Sequence, residues 1–222
     1  MAAQDYPQPN ATVDVALFTL TDGRLGVLLA RRDREPFAGS FALPGGYVHA
    51  DEDDSTLQTA RRVLVDKAGI VAPYLEQLYT FSGKFRDPRG WSLSVSYYAV
   101  VPEGVLAATG SPDLLVAPVD SLPALPFDHG DIIRKGVARL RGKASYSSLP
   151  VFLLPEQFTL GELFEVYRQV GVELDKVSFR RKIEAQGIIG AVPGQMRHGA
   201  HRPAQLYRRA EDTLREFDQV LG

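Results

Sequence analysis

Polar and apolar residues alternate over residues 12–20, with Val13, Val15 and Leu17 on one side, and this period of two predicts a β-strand. Asp22-Gly23 is a hairpin signal, and 25–30 reads as the return strand. Within a further extended stretch, 41–48, Leu43-Pro44-Gly45-Gly46 predicts a tight irregular turn of the kind glycine makes cheaply. The period then lengthens. Leu57, Ala60, Leu64 and Ala68 recur at helical spacing, Ser55 is placed as N-cap with Gln58 at the capping-box position, and Gly69 is placed to end the helix in the left-handed region. Strands are expected at 75–82 and 93–101, the second rich in β-formers. A proline-containing stretch, 102–126, leads to Phe127-Asp128-His129 and a helix over 132–141.

The small, polar segment 142–150 marks the expected boundary between two units, 1–145 and 146–222. In the second unit a helix opens at Phe158-Thr159 and runs to about 170. Thr159 caps it, Glu162 stands at the capping-box position, and Leu160, Leu163, Phe164 and Tyr167 form its stripe. A second helix over 175–186 ends at Gly187. Its expected buried stripe is Val177, Phe179 and Ile183, with Lys176, Arg180, Arg181 and Lys182 outside. Short strands at Ile188-Ile189 and Leu206-Tyr207 bracket a glycine- and base-rich loop, 193–203. Two helices, the second basic, followed by a basic hairpin outline a winged helix-turn-helix.

Composition narrows the chemistry. The 222 residues include no cysteine, which excludes a disulfide scaffold, a thiolate metal site and a cysteine nucleophile. The polar start lacks the build of a signal peptide, and no apolar run approaches the ~18 residues of a membrane span, so a soluble, cytoplasmic protein is expected. The net charge of −2 hides an asymmetry. Between Lys176 and Arg209 there are eight Lys and Arg against the single acid Glu184, a net of +7, so the rest carries −9. A basic C-terminal patch on an acidic body points to a polyanion partner.

Gly46, Glu52, Arg62, Leu64, Gly69 and Ile70 follow the order of a Nudix box, which the segment resembles. In active members of that family, glutamates on the box helix hold Mg²⁺ on a diphosphate. Here the positions of three such glutamates carry Val63, Asp66 and Lys67, and nine residues rather than seven separate Glu52 from Arg62; the acid with seven residues between it and Arg62 is Asp54. Glu52, Asp54 and Asp66 are thus the remaining metal candidates. A charged lysine has no lone pair and repels a cation.

Taken over the whole chain, the damaged box, the Phe-Asp-His segment and the basic C-terminal unit ending in Arg202-Pro203-Ala204-Gln205-Leu206-Tyr207 resemble the Nudix-related transcriptional regulators, a group that includes ADP-ribose-responsive repressors of NAD biosynthesis genes. The resemblance implies an α+β protein, a Nudix-type mixed-sheet α/β/α sandwich followed by a winged helix-turn-helix, with no catalytic residues and no required cofactor. It implies an effector such as ADP-ribose or a related nucleotide or sugar metabolite, held by Arg32, Gly45, Gly46, Arg86 and Arg89, with the two glycines offering backbone N–H groups to phosphate. Trp91 or Phe41 would stack on a base, with core packing the preferred role for Phe41, and His129 would contact the ligand or, by preference, cap the following helix. Operator DNA would be met by Lys176, Arg180, Arg181 and Lys182 on the second helix and by Arg197, His198, His201 and Arg202 on the hairpin, in a homodimer on a near-palindromic site. The alternative is a Nudix pyrophosphatase for ADP-ribose-type diphosphates, with Mg²⁺ on Glu52, Asp54 and Asp66.

Overall fold

The computed structural model describes residues 8–198 and 203–221. Strands β1 (Asn10–Thr21) and β2 (Arg24–Arg31) form the expected hairpin, with Phe18 opposite Val27. The stretch 41–48 is not one strand. It divides into β3 (Phe41–Ala42), paired with β2, and β4 (Gly45–Tyr47), paired with β1. Then follow α1 (Thr56–Ala68), β5 (Tyr74–Gly83), β6 (Ser92–Val100), α2 (Glu103–Ala107), β7 (Leu114–Pro118) and α3 (His129–Ala144). The sheet runs β3-β2-β1-β6-β5, with β1 and β6 parallel and β7 added antiparallel to β2. Neither α2 nor β7 had a sequence signal separable from the proline-containing stretch around them.

Both faces of the sheet are covered. Val13, Val15 and Leu17 join Ala60, Leu64 and Ala68 of α1 in one cluster, while Ala16 and Phe18 join Ile132, Ile133 and Leu140 of α3 in another. This is why β1 is buried along its middle rather than on alternate residues: a strand between two helical layers has no wet face. Local chemistry sets the ends of α1. The Ser55 hydroxyl accepts from the Gln58 N–H, Gly69 adopts φ 66°, and the Gln58 side chain accepts from the N–H of Asp54 rather than of Ser55.

The segment 142–150 is enclosed from Ser147 onward. α3 continues to Ala144, and the 3₁₀ turn Leu149–Leu153 is wholly buried. Its polar groups are used internally: the Ser147 hydroxyl donates to the Lys143 carbonyl, and Tyr167 donates to the Ser147 carbonyl. One apolar cluster therefore runs from Phe18 and Tyr98 through Leu149 and Phe152 to Leu163, Tyr167, Phe179 and Ile183.

The C-terminal unit comprises β8 (Phe158–Thr159), α4 (Leu160–Gln169), α5 (Lys176–Gln186), β9 (Ile189–Arg197) and β10 (Ala204–Arg209), with sheet order β8-β10-β9. It is a winged helix. The Thr159–Glu162 capping box forms in full, and Asp175 and Gly187 cap α5. Two expectations are corrected. The strands of the wing are longer than 188–189 and 206–207, because β9 continues through 193–197 with Gly194 at φ 70°. Val177 does not join the buried stripe and is 80% exposed, since residues two apart on a helix point about 200° apart and Phe179 already faces inward. The tail beyond β10 returns to the junction, where the Phe217 and Leu221 N–H groups donate to the Tyr146 and Ser145 carbonyls.

Candidate functional site

A cleft of about 380 Å³ opens where β1, β4, α1, residues 86–89 and the start of α3 meet. Its floor is a charged cluster built from distant parts of the chain. Asp14, an acid set between Val13 and Val15 on the central strand, has a side chain only 9% exposed. The Leu43 N–H donates to His129 Nδ1 at 3.0 Å, which leaves Nε2 to carry a proton toward Asp14 Oδ1, 3.5 Å away. Arg86 donates through Nε and Nη2 to Asp128 at 2.9 and 2.8 Å and through Nη1 to the Ser92 hydroxyl, and lies 3.5 Å from Asp14. Burial acts to raise the Asp14 carboxyl, but His129, Ser94 and Arg86 outweigh it and hold that carboxyl below its usual range. His129 is thus a core bracket between the β3–β4 connection and β1. It does not cap α3, whose N-cap Asp128 makes no side-chain cap bond because Arg86 engages it.

Gly45 and Gly46 belong to a strand and have no positive φ, so they do not form an N–H nest. Glycine is needed at Gly45 for space: a Cβ there would stand 2.1 Å from Asp14 Oδ1. The rim is cationic and aromatic. Arg32 donates to the Pro36 and Arg34 carbonyls and lies 5.0 Å from the Phe127 ring centre. Arg89 grips Asp87 through Nε and Nη2 and lies over Tyr47 at 5.2 Å. Burial lowers the Arg32 pKa, and the charge of Arg89 lowers it further. Both guanidiniums lie within 6 Å of the Phe127 ring centre, and two cations on one ring gain from an anion between them. Phe127 and Phe37 both hold positive φ, 56° and 69°, with rings 5.1 Å apart, and such strain in a non-glycine residue concentrates at binding sites.

All five expected ligand residues, Arg32, Gly45, Gly46, Arg86 and Arg89, line this cleft. Arg86 lies beneath it, engaged by carboxylates. Phe41 is covered by the Arg31 guanidinium at 4.5 Å and does not line the cleft, while Trp91 lies in an adjoining open groove with Phe85 and Phe37.

The box helix presents Val63, Asp66 and Lys67 to the same cleft. Val63 is 2% exposed. Lys67 lies 3.5 Å from Asp33, and Asp66 lies 3.7 Å from Arg62. The residue that sequence reasoning missed is Asp53. Its enclosed carboxylate takes both Nε and Nη2 of Arg62, at 2.9 and 2.7 Å, with the Thr59 hydroxyl and the His49 N–H. The Arg62 hydrogen bonds hold it well below the usual carboxylate range. Counting from either end of the box reached residues 52 and 54, and the turn uses the acid between them. Glu52 instead faces His49, and Asp54 is exposed. Glu52, Asp54 and Asp66 are therefore not brought together. Mg²⁺ asks for convergent hard oxygens, and this helix offers an alkyl group, an ammonium and one carboxylate shared with arginine; the donor set does not fit it. Among the described residues no cluster of three or more acidic or histidine side chains is arranged to hold a metal.

On α5, Lys176, Arg180 and Arg181 are exposed, with Arg180 donating to Glu184 at 2.9 Å. Lys182 turns the other way and donates to the Leu221 carbonyl at 2.5 Å. On the wing, Arg197 pairs with Glu162 and His198 is exposed; His201 and Arg202 lie outside the described residues. Among those described, no helix is long and apolar enough to cross a membrane.

The fold and these two surfaces define a two-domain protein, a Nudix domain whose box helix keeps one carboxylate where the family has three, joined to a DNA-binding winged helix. The NUDIX domain model matches residues 10–137 and the model of the NrtR DNA-binding winged helix domain matches 150–209, so the chain belongs to the NrtR family of Nudix-related transcriptional regulators. It is 38% identical to the ADPR-responsive transcriptional repressor NtrR of Acinetobacter baylyi, over 96% of this chain and 86% of that one. The structure of Shewanella oneidensis NrtR complexed with a 27mer DNA is similar at TM-score 0.85 and 37% identity, covering 96% of this chain and 99% of that one. The NUDIX domain of the same Shewanella protein complexed with ADP ribose is similar at TM-score 0.54 and 37% identity, covering 61% and 90%.

Proposed function

We propose that this protein is a transcriptional repressor that binds ADP-ribose without cleaving it and changes its hold on operator DNA in response. The observation that carries the reading is the cleft itself: two arginines sharing the Phe127 ring at a rim suited to a diphosphate, beside a helix on which Val63 and Lys67 replace metal-binding carboxylates. Arg32 and Arg89 bind the diphosphate, Tyr47 and Phe127 border it, and Lys67 adds a cation where hydrolysis needs one brought by carboxylates. Function follows the site rather than the fold, and this site binds without activating water.

Coupling has a direct route. α3 begins at the cleft with His129 and ends at Ala144 against the winged helix, spanning about 24 Å as one rigid element. A ligand that moves the Asp128–Arg86 pair tilts α3 and, through residues 145–153, re-aims α4 and α5. The coupling equals the difference in ligand affinity between the two orientations, typically 5–150-fold in DNA affinity. The protein acts in the cytoplasm as a homodimer, which lets two α5 helices meet successive major-groove faces of a near-palindromic operator.

Calorimetric titration with ADP-ribose, with and without Mg²⁺, tests this together with a gel shift on a selected duplex. Binding independent of Mg²⁺, a changed operator affinity on adding ADP-ribose, and intact ADP-ribose recovered afterwards are the expected results. Turnover at ordinary enzymatic rates, ~1–10³ s⁻¹, would overturn the reading in favour of a pyrophosphatase.

A further inference from the structure

The outward face of α5 has an apolar centre. Taking about 100° per residue, Phe179 and Ile183 point to one side of the helix, and both are buried. On the outward half lies Val177, 80% exposed, about 160° from Phe179 and about 120° from Ile183, with Glu184 about 20° and Arg180 about 60° to one side and Arg181 about 40° to the other. A valine has no evident folding role there. Its N–H is satisfied by the Asp175 carboxylate at 3.0 Å whatever its side chain, and valine is a weaker helix former than alanine. A polar residue would be the ordinary occupant of such a position, and the exposed residues nearest it on this face, Arg180, Arg181 and Glu184, are charged.

We propose that Val177 is a specificity-determining residue, its isopropyl group packing on the 5-methyl group of a thymine in the major groove. The inference rests on the reading of α5 as the DNA-facing helix. Thymine is the base that offers the major groove a methyl group, and an apolar side chain is the chemical match for it. The flanking guanidiniums supply the setting, since phosphate or guanine contacts by Arg180 and Arg181 hold the centre of this face against the base edges and exclude water from the valine. Val177 stands at the second position of the helix, at the N-terminal end that reaches base edges in helix-turn-helix docking.

The test uses full-length protein and a duplex of about 25 base pairs that the wild type selects from a random pool, with each thymine replaced in turn by uracil, which removes only the methyl group. At one thymine per half-site, uracil should weaken wild-type binding about fivefold, the scale of one buried methyl. Val177→Ala should bind the thymine duplex about fivefold more weakly and show no uracil penalty at that position, while melting at or above the wild-type temperature. Val177→Thr, which keeps one methyl, should fall between. If no thymine methyl affects the wild type, or if Val177→Ala keeps the penalty, the proposal is overturned. A change in mass by light scattering on Val177→Ala, with no uracil effect, would reassign the residue to a protein interface and overturn it equally. Failure of the underlying reading looks different: the wild type would enrich no duplex, and Arg180→Ala with Arg181→Ala would bind DNA as the wild type does.

Discussion

Replacing Arg86 with methionine removes a guanidinium while keeping most of its volume, and so separates charge from packing. That group makes two hydrogen bonds to Asp128 and one to Ser92, and lies 3.5 Å from Asp14, with an Arg86 side chain only 8% exposed. The variant leaves two enclosed carboxylates facing a thioether. Removing one side of a buried pair costs about 3–5 kcal/mol. The lower end applies, because Asp14 keeps His129 and Ser94 and Asp128 is nearer the surface. Urea denaturation followed by circular dichroism at pH 7 should show a loss of about 3 kcal/mol with the slope unchanged. The pH dependence identifies the cause. Asp14 titrates below its ordinary value in the folded protein, so its stabilisation is complete above the unfolded value of about 3.9 and is lost as pH falls through the folded one. Without Arg86 the Asp14 value rises, protonation relieves the variant earlier on acidification, and the deficit should shrink as pH is lowered from 7 toward the unfolded value of about 3.9. A deficit under about 1 kcal/mol at pH 7, or one constant down to pH 4, would refute the view that Arg86 serves to compensate these acids.

Three further outcomes are expected. Val63→Glu with Lys67→Glu should lower the melting temperature, since Val63 is buried and an unpaired carboxylate there costs several kcal/mol, and millimolar Mg²⁺ should restore part of that loss in the variant but leave the wild type unmoved. Arg180→Ala with Arg181→Ala should abolish operator binding in a gel shift while leaving ADP-ribose titrations intact; the surviving wild-type affinity should fall steeply between 50 and 200 mM salt. Thr159→Ala should cost about 1 kcal/mol in thermal or urea unfolding, because it opens a capping box in which both reciprocal bonds are present.

Much of the molecule was legible along the chain. The caps at Ser55, Gly69, Thr159 and Gly187 and the stripes of α1 and α4 all rest on residues within about four positions of one another, a range over which propensity, capping and periodicity act. The lost donors at Val63 and Lys67 were equally plain, because a one-turn spacing on a helix fixes which side chains share a face. What tertiary structure alone decided are the meetings between distant residues. Asp14, Arg86, Asp128 and His129 come from one strand, two loops and a helix, and only their convergence converts an expected ligand arginine into a compensated floor charge. The same holds for Asp53, chosen over its acidic neighbours by the position of Arg62, and for Lys182, drawn away from the basic face by the carbonyl of Leu221. Local pattern says which groups a segment offers; whether a charge is buried, paired or free depends on what the rest of the chain brings against it.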